Sequence, residues 1–387
     1  MSNLIVTETE LRRACDVLSQ APVIAFDTEF IRESTFFPNL ALIQVATQSE
    51  SFLIDPLAFK KEQLVPLQTI FTNPSILKIL HSAQADQECL WTTYGYLATP
   101  IFDTSIAASL IGMGDQIGLG KLLEQTVNIT IAKGHSRTNW LQRPLPNELL
   151  KYAREDVAHL VAAHESLSAQ LVKAERLDWA MELSQEWTHP ERFEFNAIDA
   201  ATKIGKRKRM DKHSLSVLVR LLEWREGLAR KVNIPRRRVA DDQALIDIAS
   251  TRPTEAGHLH SFRGISRSFM AQHTDELLEL CKSTDILPEF SESPKHKSRD
   301  SQEDRLAIEV FQFAVKILAQ NHNLSARHLI DRETAEKIVF GKYNGPDDWV
   351  TAKLISSDVC KMIGQELWGF LNGQMGISLQ NGQLSLK

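Results

Sequence analysis

Val23-Ile-Ala-Phe-Asp-Thr-Glu-Phe-Ile31 places two carboxylates inside an otherwise apolar run. Its length and its β-branched and aromatic content are those of a buried strand. Side chains two residues apart leave the same face of a strand, so Asp27 and Glu29 point together. Two such groups repel each other and are costly to desolvate unless a cation lies between them. A divalent ion would answer that need, and oxygen ligands without His or Cys favour Mg²⁺ or Mn²⁺. A strand edge where both groups reach water would answer it too, and the run alone leaves the two readings open.

Outward from this strand, Thr7-Glu-Thr-Glu10 reads as a capping box opening a helix to about Gln20. Ala41–Thr47, Phe52–Asp55 and Ile76–His81 read as further strands, and Gln63–Phe71, Ala83–Tyr94, Asp103–Ile111 and Gly120–Thr126 as helices. Asn147–Ala174 is expected to be one long helix, with Leu149, Leu150, Ala153, Val157, Leu160 and Val161 on its apolar stripe. Early strands followed by alternating elements imply an α/β fold, a mixed sheet flanked by helices. From Ser214 onward the pattern is all-helical, in two small units separated by the polar stretch Ser291–Gln302. The residues after Asn372 are expected to form a short hairpin or to fray.

Composition narrows the function classes. With 43% hydrophobic and 24% charged residues in 387, the chain is ordinary globular protein of two or three domains. No apolar run approaches the roughly 18–20 residues of a membrane span. The first residues lack the basic-then-apolar order of a signal peptide, and four scattered cysteines form no CxxC pair. A cytoplasmic protein is expected, and a monomer, since no long apolar stripe is left unassigned. Residues 1–200 hold 15 Lys+Arg against 25 Asp+Glu, whereas residues 201–240 hold 13 against 3. A basic block beside an acidic domain suits a chain that holds a polyanion with one part and collects cations with another.

Two further acidic elements stand in order after Asp27 and Glu29. Asp86 lies near the start of the Ala83–Tyr94 helix, and Tyr152 and Asp156 are one turn apart on a later helix. This order resembles the DEDD superfamily of 3′→5′ exonucleases in its Tyr-containing branch. Phe26-Asp-Thr-Glu-Phe30, His81-Ser-Ala-Gln-Ala-Asp86, Ser136-Arg-Thr-Asn-Trp140 and Arg143-Pro-Leu-Pro-Asn-Glu-Leu-Leu-Lys-Tyr-Ala-Arg-Glu-Asp-Val157 are similar to the ribonuclease D family. Trp224-Arg225, Ile234-Pro-Arg-Arg-Arg-Val-Ala-Asp-Asp242 and Arg263-Gly-Ile265 resemble the HRDC domain that this family shares with RecQ-type helicases.

The resemblance implies an RNase H-like (DnaQ-like) catalytic domain over residues 1–190, a basic connector over 191–212 and an HRDC domain over 213–290. A linker over 291–302, a second HRDC-like unit over 303–371 and a tail over 372–387 complete the chain. It further implies two divalent ions held by Asp27, Glu29, Asp86 and Asp156, with Tyr152 orienting the attacking water. The implied reaction trims precursor tRNA and other small structured RNAs from the 3′ end, releasing 5′-mononucleotides. A DNA exonuclease acting in repair and a non-catalytic RNA-binding scaffold are the rival readings. Phe30 and Trp140 are candidates for stacking on terminal bases. Lys206, Arg207, Lys208, Arg209, Arg236, Arg237 and Arg238 are candidates for holding RNA phosphates. Arg143 is placed either on phosphate or in a surface ion pair, and Asp103 is read as a helix cap.

Overall fold

The computed structural model describes residues 4–131, 138–291 and 301–387, without the side chains of Lys206, Arg207 and Ser291. Ser136 and Arg137 of the expected Ser136–Trp140 motif, and residues 292–300 of the expected linker, lie outside the described residues. Six strands form one mixed sheet in the order β1-β4-β3-β2-β5-β6. They are β1 (Leu4–Ile5), β2 (Val23–Ile31), β3 (Asn39–Ala46), β4 (Ser51–Ile54), β5 (Leu77–Leu80) and β6 (Ile101–Asp103). The neighbours β2–β3 and β3–β4 are antiparallel; β1–β4, β2–β5 and β5–β6 are parallel.

Both faces of the sheet are covered, which is why β2 and β3 read as near-continuous apolar runs. On one face Ile24, Phe26, Ile43 and Val45 pack against the helices Glu8–Ser19, Val65–Phe71 and Gln84–Tyr94. On the other, Leu42 and Leu53 meet Leu149, Leu150 and Ala153 of the helix Asn147–Ala158. The expected cap forms, with the return bond altered: Thr7 Oγ1 accepts from Glu10 N, while Glu10 Oε2 accepts from Thr7 Oγ1 and Val6 N rather than from Thr7 N. Strands β1 and β6 are too short to announce themselves by alternation.

The long helix expected over Asn147–Ala174 is in fact two, Asn147–Ala158 and Leu160–Lys173, parted at His159. The halves have different partners. Leu149, Leu150 and Ala153 serve the β3–β4 side, while Leu160, Val161, Leu167 and Leu171 join the core around Ala25, Ile79 and Phe102. The basic connector also contains regular structure, since Ala197–Lys208 is a helix capped by Asn196. Its Ala197, Ala201 and Ile204 pack against Val217, Leu218, Leu221 and Leu222 of the long helix Lys212–Val232.

The second helical unit starts at the tail end of the expected linker, where Ser301 caps the helix Gln302–Asn321. The last residues pair as the hairpin β7 (Ile377–Gln380) and β8 (Gln383–Leu386). This unit is bonded to the sheet domain through residues 109–111: Ser325 N donates to Ser109 O, and Asn323 Nδ2 donates to Ile111 O. Leu306, Val310 and Phe313 are 51%, 46% and 41% exposed along one face of Gln302–Asn321. The expected monomer therefore loses its argument, because an unassigned apolar stripe does exist.

Arg143 is not a phosphate contact. Its guanidinium has five N–H groups, and all five are taken. Nε and one Nη hydrogen go to the Asp55 carboxylate at 2.6 and 2.7 Å; the others go to the carbonyls of Ala41, Trp140 and Gln142. The side chain thereby ties the segment before the Asn147–Ala158 helix to β3 and the end of β4. Asp55 is buried, so Arg143→Ala strands a carboxylate and should cost about 3 kcal/mol in urea unfolding. An unfolding midpoint equal to that of the parent would contradict this account.

Candidate active site

Strand β2 presents Asp27 and Glu29 on one face, half-buried, as alternation requires. Over that face lies the helix Asn147–Ala158, whose buried stripe of Leu149, Ala153, Asp156 and Val157 includes a carboxylate. One oxygen from each of Asp27, Glu29 and Asp156 lies within 4.8 Å of the others. Tyr152, one turn before Asp156, donates its hydroxyl to that carboxylate.

Asp86 stands beside this trio and is anchored differently. Strand β5 pairs with β2 only as far as Ala25, so the outer half of β2 has a bare edge on that side. Asp86, in the first turn of Gln84–Tyr94, fills the gap: its Oδ1 accepts Thr28 N at 2.9 Å and Thr28 Oγ1 at 2.5 Å. The site thus draws on one strand and two helices.

These carboxylates crowd one another. Burial, then Asp86, Asp156 and Glu29, push the Asp27 carboxyl well above the usual carboxylate range. Burial raises Glu29 to about 8, helped by Asp156 and Asp86. Asp86 rises to about 7 and Asp156 to about 6, again chiefly through burial. Burial and the nearby acids also push the Tyr152 phenol above its ordinary value. Among the described residues, the charged neighbours acting on Asp27 are all acidic.

A divalent cation fits this donor set. It offers hard carboxylate oxygens, no Lys or Arg among the described residues balances the Asp27 and Glu29 pair, and one neighbouring amide is incompletely bonded. That amide belongs to Gln44, directly opposite Asp27 in the β2–β3 register. Gln44 is fully buried; its Nε2 lies 3.4 Å from Asp27 Oδ2, and its Oε1 has no partner among the described residues. Gln44 is a functional residue that sequence reading misses: a lone amide in Leu40-Ala-Leu-Ile-Gln-Val-Ala46 stands out, but its role depends on the register that sets it across from Asp27.

The other candidates separate. Trp140 is 4% exposed and packs 6.2 Å, centroid to centroid, from the Tyr152 ring, so it supports the tyrosine and cannot stack on a base. Phe30 is half-buried against the opposite-face core. Arg236 is committed to Glu226 and to the rings of Phe36 and Phe195, whereas Arg237 and Arg238 are exposed. Lys208 Nζ reaches Gln243 at 3.3 Å, Arg209 ends its helix in a left-handed turn, and the side chains of Lys206 and Arg207 lie outside the described set. Asp103 is a cap: it accepts from the amides of Ser105 and Ile106 and also from those of Ser82 and Ala83.

Comparison with known proteins adds the context. Residues 3–172 match the family described as 3′-5′ exonuclease, and residues 214–281 match the HRDC domain. A ribonuclease D of Nitrobacter hamburgensis is 30% identical, the match covering 99% of this chain and 98% of that protein. A ribonuclease D of Zymomonas mobilis is 31% identical over 99% and 97%. The crystal structure of Escherichia coli RNase D, described as an exoribonuclease involved in structured RNA processing, superposes with a TM-score of 0.77 at 28% identity. That match covers 93% of this chain and 98% of that one.

Raised carboxylate pKa values have a definite sign. The folded site holds protons that the unfolded chain would release, so its contribution to stability falls as pH rises through the folded values of about 6 to about 8. The metal-free protein should lose melting temperature between about pH 5 and about pH 8.5. Mn²⁺ should raise the melting temperature more at the upper end of that range, because protons no longer compete. A flat profile for the metal-free chain, followed by differential scanning calorimetry, would contradict this.

Proposed function

The chain belongs to the ribonuclease D family of 3′→5′ exoribonucleases, and from that premise we propose which of its residues do the work and on what RNA. Asp27, Glu29, Asp86 and Asp156 are the proposed holders of two divalent ions, Mg²⁺ or Mn²⁺. The observation that carries this is the convergence of three carboxylate oxygens within 4.8 Å of one another, with Tyr152 bonded to one of the carboxylates. When bound, such ions would lower the pKa of a water and stabilise the departing 3′ oxygen.

The remaining work falls to the protein. Tyr152 keeps its proton at neutral pH, since its pKa lies above the ordinary value of about 10, and so is no general base. Its hydroxyl donates to Asp156 and can accept from a water, which orients that water toward the scissile phosphate. Trp140 holds the Tyr152 ring from behind. Phe30, packed with the core on the face away from Asp27 and Glu29, is withdrawn from stacking on a terminal base. Lys206, Arg207, Lys208, Arg209, Arg237 and Arg238 are proposed to hold the RNA body by its phosphates; Arg236 and Arg143 are withdrawn from that role.

The proposed substrates are precursor tRNA and other small structured RNAs, trimmed at their 3′ ends in the cytoplasm with release of 5′-mononucleotides. Four buried free cysteines suit a reducing compartment. Among the described residues no helix is long and apolar enough to cross a membrane.

A 5′-labelled RNA with a structured body and a single-stranded 3′ tail, beside its DNA twin, tests the assignment. Expected is a metal-dependent ladder from the RNA 3′ end that is abolished in Asp27→Ala together with Mn²⁺ binding. Tyr152→Phe should lower turnover while keeping Mn²⁺ affinity; equal loss of affinity in both variants would refute the division of labour. Replacing Arg237 and Arg238 by Ala should raise KM and reduce the salt slope of RNA binding by about one to two. An unchanged slope would remove these arginines from the RNA path.

A further inference from the structure

The loop that joins β2 to β3 leads away from Glu29 at one end and toward Gln44 at the other. The first of its two aromatic residues, Phe36, does not fold back onto the sheet. It is 5% exposed and belongs to the core of the first helical unit, with Val217, Leu218, Leu221 and Leu245. Its ring is flanked by two guanidiniums, Arg230 at 5.0 Å and Arg236 at 4.8 Å, both held by Glu226.

The backbone of the same loop is gripped as well. Asn233, the left-handed residue ending the helix Lys212–Val232, accepts the N–H groups of Phe36 and Phe37 on its Oδ1, each at 3.1 Å. Phe36 O in turn accepts Arg32 Nε at 2.9 Å, and Arg32 reaches Glu88 at 2.7 Å. Glu88 sits on the helix that carries Asp86. The β2–β3 register shifts between Glu29 and Phe30, inside the site itself, so the course of the loop beyond it bears directly on where Glu29 is aimed.

We propose that the first helical unit positions the acidic site through this clamp, with Asn233 and Phe36 as positioning residues for Asp27, Glu29 and Asp86. The proposal rests on the assignment of those carboxylates as metal holders. It gives the helical unit a second task besides holding RNA: it fixes the loop that fixes the strand. Supporting partners of a metal site matter on this scale because ligand oxygens displaced by a fraction of an ångström no longer converge.

The test uses the full-length chain and Mn²⁺ alone, with no RNA present. Asn233→Gly keeps the left-handed backbone and removes only the acceptor, whereas Asn233→Asp keeps an acceptor of the same shape. Asn233→Gly should weaken Mn²⁺ binding by about tenfold in calorimetric titration, and Asn233→Asp should restore it. On a single-stranded RNA trinucleotide, Asn233→Gly should lower kcat by about tenfold and leave KM within about twofold. Phe36→Ala should act in the same direction, with Phe36→Tyr as its rescue. Unchanged Mn²⁺ affinity and kcat in Asn233→Gly, or a rise confined to KM, would overturn the proposal and leave the contact as docking alone. A loss that Asn233→Asp does not restore would overturn it equally. Failure of the parent protein to bind Mn²⁺ would instead strike the carboxylate assignment beneath it.

Discussion

Mutual repulsion among Asp27, Glu29, Asp86 and Asp156 governs how the surrounding structure is built. Carboxylates this close cannot all ionise in a half-buried place without a cation, and the raised pKa values record that conflict. The fold holds them together from three directions. Strand alternation supplies two, a helix over the sheet supplies the third, and a second helix brings Asp86 to the edge that β5 leaves bare. Each of these elements is secured by apolar burial elsewhere along its length. The energy that confines the acids therefore comes from residues such as Phe26, Leu149 and Leu90, which are far less sensitive to ions than the site itself.

The charge layout follows the same division of labour. The sheet domain concentrates negative charge, and the segment over residues 201–240 carries the excess of positive charge. Within the basic segment the arginines are not equivalent. Arg225 and Arg236 are spent on Asp242 and Glu226, which leaves Arg237 and Arg238 facing water.

Much of this could be read from the chain, and the reasons differ by element. The β2 acids, the Tyr152–Asp156 pair and the capping box are local patterns, so sequence spacing alone places them on a face. Asp86 was placed by resemblance, since nothing local separates it from any acid in a first helical turn. Gln44 became visible only through register, because its meaning is the residue across from it. The burial of Trp140 is a tertiary fact, and so is the five-bond fork that places Arg143 in the ion-pair reading of the two its sequence leaves open. The break at His159 was hidden for a related reason: both halves are amphipathic, and only their different partners separate them. Phe36 gave no signal, as an aromatic in a loop reads the same whether it packs on its own domain or on another.

The place of Phe36 bears on what counts as a module in this protein. The recognisable HRDC segment covers residues 214–281, yet the core of that unit is completed by Phe36 from the sheet domain and by Ala197, Ala201 and Ile204 from the helix before it. A segment cut at the borders of its motif would carry an open hydrophobic face where those side chains belong. The unit that packs as one body is accordingly larger than the one that similarity outlines. In this chain the helical unit and the nuclease share one core, so neither border can be drawn without cutting through it.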